Sequence, residues 1–498
     1  MKLRIKNLEL RVLGIVVVYA VLFLWLFDRH FAPRGVWSVE IRAPRTQTRL
    51  VKGPVPDYRV DVDDTQDVWR LKETPVYFAV DAPRKFDQAE IAVEFRGDVP
   101  IIFGGVVKRL DPWVVEQRVL YHKYLEELAW PRVEEEGYIL WQREARYGSV
   151  KEFMDNPPAV EEVATVDVSQ AMKTLKHENI KALGFRYDVS LRGPQDIYLY
   201  TADEDIEVKF LFHDVNRHDG KDVVDVQLSQ AGEVIKRETL EDDGIEWGTG
   251  EASSPREFTI YHTPPQPGVY RLTVRTTDDI FIRRVETSPG KMVWKNTLYL
   301  GDEVGYREGS ARPVTVYSNG QGYAVRTPHP EGVQKVEFTE AQPLGLMSQG
   351  LSLELAEHNK QYTIQMPREI AGKVLAIRVP KRDAVLTTEG FFALSQEAFF
   401  LPEPISYMSD LDLDRLGINY VLASYKFAKN RGRDLKNNSV RVSTFDINPI
   451  SPLQFFVSAP QGMAGDFELK EIRFKLQKPR LTPARIFGKI RKLWAKPR

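Results

Sequence analysis

Short alternating runs of apolar and polar residues dominate the chain from residue 36 onward. Val76-Tyr77-Phe78-Ala79-Val80 and Ala89-Glu90-Ile91-Ala92-Val93-Glu94-Phe95 flank the turn-forming Ala82-Pro83-Arg84. Period-two alternation rich in β-branched and aromatic residues predicts half-buried strands. The same signal recurs at 197–200, 206–212, 223–228 and 234–236, with Ala231-Gly232-Glu233 as a tight connection. Pro267-Gly268 feeds an alternating run to Val274, and Asp278-Asp279 turns into Ile280–Val285. Further strands are predicted at 313–317, 333–338, 374–379, 420–427, 440–445, 453–458 and 467–476. Strands spaced by turns in this way predict antiparallel β-sandwiches.

Helical spacing is rare. Leu120, Tyr121, Tyr124, Leu125 and Leu128 predict a helix over Trp113–Trp130, closed by Pro131, with Trp113, Trp130 and Trp141 in the core of the same module. Ser149 and Glu152 predict the start of a short second helix before Asn156-Pro157-Pro158. The expected organisation is a β-rich module with one helix at 36–165, a sandwich at 182–305 and another at 306–478.

Two stretches resemble known modules. Gln266–Val274 resembles the late strand of immunoglobulin-like modules of bacterial surface proteins. Leu453–Pro460 and Phe467–Leu476 together resemble the closing strands of jelly-roll, galactose-binding-like modules. The resemblance covers about a quarter of the chain and transfers no site residue. It implies an Ig-like fold for 182–305, a jelly-roll-like fold for 306–478, and a binding or scaffolding role outside the cell.

The ends differ from this body. Val12 to Phe27 is uncharged and strongly apolar, about 24 Å long as a helix. Lys2, Arg4, Lys6 and Arg11 precede it, so residues 1–11 form an expected cytoplasmic tail and 12–32 a transmembrane anchor. A cleaved signal peptide and a buried core helix are the competing readings; no small-residue cleavage site follows. At the other end, residues 479–498 form a basic amphipathic tail. Ile486, Phe487, Ile490, Leu493 and Trp494 share one helical face, and Arg485, Lys489, Arg491 and Lys492 fill the others. That pattern predicts contact with a membrane surface; docking on protein and a disordered tail are the alternatives.

Charge follows the same division. The net charge is −1, but residues 1–11 carry +3 and residues 475–498 carry +9, leaving −13 on the residues between them. A basic–acidic–basic layout argues against a nucleic-acid-binding core, which would concentrate positive charge on the folded body. With no cysteine among 498 residues, disulfides, thiol catalysis and cysteine-ligated metals are excluded. Neither a serine-hydrolase elbow nor a phosphate-binding glycine loop is present.

Three acidic stretches carry candidate chemistry. Asp214, Asn216 and Asp219 have spacing like the start of a calcium loop, but the glycine falls one place late and the twelfth position lacks Glu. A hard cation and a solvated turn with Asx hydrogen bonds are the two readings. Asp410, Asp412 and Asp414 alternate and would share one face if the segment were a strand; an exposed edge or helix entry is the other reading. Trp247 sits between Glu246 and Glu251 in a polar loop, suited either to stacking on a sugar or to packing over a sandwich end. The eight histidines show no metal-binding spacing.

The expected protein is therefore a single-pass, extracytoplasmic, non-catalytic binding or scaffolding component of the cell envelope. Its partners are the lipid bilayer and an envelope glycan or protein. It needs no cofactor, calcium being the one ion the spacing leaves open. A structural subunit of an envelope or secretion assembly and a carboxylate-dependent glycan-active enzyme are the rival classes.

Overall fold

A computed structural model describes residues 15–24 and 35–478, except 84–85, 87, 108–113, 169–182, 246–247, 250–251, 303–312, 343–349, 368–369, 371, 409–410, 433, 444–451 and 460–466. The chain is mainly β, built of several antiparallel sheets. It divides into two units, one from residues up to 129 and from 425 on, the other from 130–424.

In the first unit, strand Phe467–Lys478 lies between Gly35–Arg42 on one side and Gln88–Gly97 on the other. Lys436–Ser443 pairs with the far edge of Gln88–Gly97. A second sheet runs Val51–Val55, Val76–Val80, Leu453–Ser458, Ile101–Val107, Val114–Tyr121. Alternation fixes which side of each strand faces inward. Ala89, Ile91, Val93 and Phe95 are buried along one strand and Phe467, Leu469, Ile472, Phe474 and Leu476 along its partner. Rings from the two sheets meet in a shared core, with Phe455 and Phe474 centred 4.9 Å apart and Trp69 and Phe78 6.0 Å apart.

In the second unit, strands from Phe185 to Leu300 form two sets. Glu233–Leu240, Val224–Gln230, Gly268–Arg275, Gln195–Thr201 and Lys291–Leu300 pair in that order. Arg256–His262, Ile206–Asp214, Ile280–Thr287 and Phe185–Tyr187 form the other set. The 231–232 connection is a two-residue hairpin in which both residues have positive φ (Ala231 50°, Gly232 88°), the twist-matched turn for adjacent strands. Seven strands from Val314 to Ala393 follow, and Lys291–Leu300 pairs with Ala384–Ala393 so that Trp294 stands opposite Phe392. A small mixed sheet of Arg132–Glu135, Tyr138–Gln142, Tyr420–Ala423, Val163–Val166 and Ile405–Ser406 completes the unit.

Several expectations change. The strands expected in separate modules at 36–165 and 306–478 share sheets, because Phe467–Lys478 and Leu453–Ser458 pair with strands near residues 40, 78, 91 and 104. The helix expected over 113–130 is instead strand Val114–Tyr121 followed by the single turn Lys123–Glu126. Pairing with Ile101–Val107 settles that segment as sheet. Trp113 lies outside the described residues, Trp141 is fully buried, and Trp130 is half-buried with the Arg143 guanidinium 4.6 Å from its ring centre.

The second helix is present as Val150–Asp155. The Ser149 side chain accepts from the Glu152 amide at 3.0 Å, and Glu152 accepts from the Gly148 amide at 2.8 Å. Ser149→Ala is expected to destabilise the unit by about 1 kcal/mol, read as a lower urea midpoint with an unchanged slope.

Of the expected anchor, residues 15–24 are described. They are helical and exposed throughout. Among the described residues no helix is long and apolar enough to cross a membrane. Residues 1–14, 25–34 and the tail 479–498, with Arg485 to Trp494, lie outside the described residues.

Candidate functional site

Three segments meet at one end of the 185–300 sandwich: 214–223, 241–245 with 252–255, and 276–279. Strand Ile206–Asp214 delivers Asp214 to this end, and strand Ile280–Thr287 begins just after Asp279. Hydrogen bonds tie the loops together. The Asn216 side-chain amide donates to Asp243 at 3.0 Å, and the Asp222 backbone amide donates to Asp242 at 2.8 Å. The Thr277 hydroxyl donates to the Asp222 carboxylate.

The loop is a solvated turn at its tip, where Arg217 to Lys221 are exposed and the Asn216 amide donates to Asp214 in an Asx turn, but its two ends are buried. Asp214 is 2% exposed, Asn216 1% and Asp222 5%. Asp279 is equally buried, and the structure accounts for it: it accepts from the amides of Arg217 (3.0 Å) and His218 (2.7 Å) and contacts the His218 ring at Nδ1 (2.8 Å). Asp214 is different. One of its oxygens accepts from the Asn216 amide at 3.0 Å, while Oδ2 is buried with no hydrogen-bond partner. Burial pushes the Asp214 carboxyl up to about 7, and Asp222, Asp243 and Asp279 push the same way. Asp222 is raised as well, burial again leading.

Asp214 and Asn216 therefore lie at this junction, whereas Asp219 is exposed and accepts from the Gly248 amide at 2.8 Å. The acids brought together with Asp214 are Asp242 and Asp243, one carboxylate oxygen from each lying within 4.8 Å of the others. Sequence reading missed both. Their signal was two adjacent acids before Gly244, a turn-forming Asp-Asp-Gly directly after a strand. Glu246, Trp247 and Glu251 lie outside the described residues.

Two histidine–carboxylate groupings occur in the same unit. His218 joins Asp278 and Asp279, and His329 joins Glu331 and Asp383, with His329 Nδ1 2.9 Å from the Asp383 carboxylate. Burial raises the Asp383 carboxyl, opposed by its hydrogen bond with His329.

The third acidic stretch has no shared face. Asp412 and Asp414 are exposed in a turn, where Asp412 accepts from the Arg415 amide at 3.1 Å and Asp414 pairs with Arg143. Asp410 lies outside the described residues. A small cleft beside this turn is lined in part by Asn319, Gln321, Glu389, Phe391 and Glu403. Its two acids are engaged by the protein: Glu403 pairs with Lys295, and Glu389 accepts from the Gln321 and Gly322 amides.

No protein-family model and no curated protein matches this chain. Similar solved structures include an archaeal virus protein described by its triple jelly roll fold and turret assembly, at 8% identity over 72% of this chain and 89% of that one, with a TM-score of 0.17. Dimeric latent PorU from Porphyromonas gingivalis matches at 10% identity over 64% of this chain and 33% of that one, with a TM-score of 0.15. A protein of infectious bursal disease virus Gt strain matches at 8% identity over 92% and 88%, with a TM-score of 0.15. Likeness at these scores carries no argument about this chain's function.

Proposed function

We propose that this chain is a membrane-anchored, extracytoplasmic binding or scaffolding protein of the cell envelope, made of immunoglobulin-like and jelly-roll-like sandwiches. One observation carries the reading. Residues 15–24 are helical, uncharged and apolar apart from the Tyr19 hydroxyl, and every residue in that stretch is exposed, with Ile15 at 56% and Leu24 at 63%. Ten such residues in water are unfavourable at about 25 cal/mol per Å² of apolar surface, so lipid is the solvent that suits them. The uncharged run continues to both sides in the sequence, from Val12 to Phe27, with Arg11 and Arg29 flanking it. The basic tail 479–498 would rest on the same outer leaflet, and an envelope glycan or protein would be the ligand of the sandwiches.

The test is membrane fractionation with protease access. The full chain should pellet with membranes and resist carbonate extraction, and protease added to spheroplasts should digest it beyond about residue 35. A carbonate-soluble chain would remove the anchor, and a protease-protected body would reverse its orientation.

A further inference from the structure

We propose that Asp214, Asp242 and Asp243 form a binding site for a hard divalent cation, calcium, at one end of the 185–300 sandwich. Three observations meet there. The first is spacing: each residue presents a carboxylate oxygen within 4.8 Å of the other two. Calcium binds oxygens at about 2.3–2.6 Å, so two ligands on opposite sides of the ion stand about 4.8 Å apart, and the three oxygens fit inside that limit.

The second is the buried oxygen. Asp214 is 2% exposed and its Oδ2 has no hydrogen-bond partner. A buried carboxylate oxygen without a donor is costly unless a cation or a proton meets it. Asp242 and Asp243, by contrast, accept backbone amides from Asp222, Gly244 and Ile245 and the Asn216 side chain. Those bonds fix the two carboxylates in place, and each oxygen keeps a second lone pair for an ion.

The third is charge. Asp222, Asp243 and Asp279 all act on Asp214 in the same direction, and Asp242 stands beside it. Four or five carboxylates at one loop junction repel one another, and a divalent ion offsets that repulsion. The donor set is all oxygen, with neither sulfur nor imidazole in the trio, which suits calcium over zinc. Water completes the coordination sphere, since calcium takes six to eight oxygens.

The site depends only on loops of the 185–300 sandwich. It is independent of the membrane reading, and a failed fractionation experiment leaves it untouched.

The experiment uses the full chain freed of metal with a chelator. Calorimetric titration with calcium chloride should show one ion per chain, and the melting temperature should rise by several degrees at saturating calcium. Asp214→Asn and Asp243→Asn should each weaken calcium affinity by roughly tenfold or more. Asp412→Asn, an exposed acid in the 412–417 turn, should bind as the unaltered chain does. If Asp214→Asn fails to fold, Asp243→Asn carries the comparison. Absence of calcium-dependent heat or melting shift in the unaltered chain would overturn the site and leave Asp214 as a buried, protonated acid. Unaltered affinity in both variants would overturn the ligand assignment. A magnesium response equal to that of calcium would overturn the choice of ion.

Discussion

Trp294→Ala is expected to lower the stability of the 130–424 unit by about 3–5 kcal/mol, the range for removing a large aromatic side chain from a core. Trp294 has no exposed surface and stands in register with Ile197 on one neighbouring strand and Phe392 on the other. It thereby joins the core of the 185–300 strands to that of the 314–393 strands, which form one continuous cluster. Its indole nitrogen has no hydrogen-bond partner, so the loss is packing and a cavity. A domain is stable by only about 5–15 kcal/mol, so this single change removes a large share. The readout is limited proteolysis in urea, with cleavage mapped to residues 130–424. Trp130→Ala is the contrast: half-buried beneath the Arg143 guanidinium, it should cost about 1 kcal/mol or less. Equal midpoints for the two variants would sink the assignment of Trp294 to the shared core.

The buried faces of strands in both units were largely legible in the sequence, because period-two alternation is a local signal. Gln88–Gly97, Ile206–Asp214 and Gly268–Arg275 each bury alternate residues, and the alternation in the sequence names the buried set. Failure came where a local pattern supports two structures. Val114–Tyr121 ends in Val-Leu-Tyr, and the residues after it continue at helical spacing; the choice of strand rests on pairing with Ile101–Val107, which no local window contains. The strand partners were equally hidden. Gly35–Arg42 pairs with the stretch ending at Lys478, more than four hundred positions away, and nothing in either strand's own pattern names the other. Sequence adjacency therefore suggested modules that the sheets do not follow.

The polar loops show the same limit. Asp214 stood out through its Asp-x-Asn spacing, but Asp242 lies beyond two strands of a hairpin, and their approach depends on strand Ile206–Asp214 and strand Glu233–Leu240 ending on the same side. Burial was illegible as well. A run reading Asp-Val-Asn-Arg-His-Asp-Gly-Lys-Asp has the composition of a solvated turn, yet neighbouring loops cover three of its polar residues.

In the metal-free chain, stability is expected to fall as pH rises from about 4 to about 7, and Asp214→Asn is expected to remove most of that fall. The folded state holds the Asp214 carboxyl at about 7, against an ordinary value of 3.8. Between those values the folded chain keeps a proton that the unfolded chain has released. The unfolded state then binds fewer protons, and stability declines with pH until both forms are ionised above about 7. Three units at 1.36 kcal/mol each set an upper bound of about 4 kcal/mol, and relaxation of the loops brings the expected loss to roughly 2–4 kcal/mol. Asp222 acts in the same direction, whereas His213, lowered by burial and by Arg283, acts in the opposite one below its usual value. The informative quantity is therefore the difference between the unaltered chain and Asp214→Asn, measured by urea unfolding in chelator at pH 5, 6, 7 and 8. Asparagine keeps the shape and cannot ionise, so the variant should match the unaltered chain only below about pH 4, already exceed it at pH 5, and exceed it most at pH 8. Saturating calcium should close that gap by selecting the ionised carboxylate, since binding the ion releases the proton. Parallel curves for the two chains across this range would show that Asp214 ionises in the folded protein as it does in water.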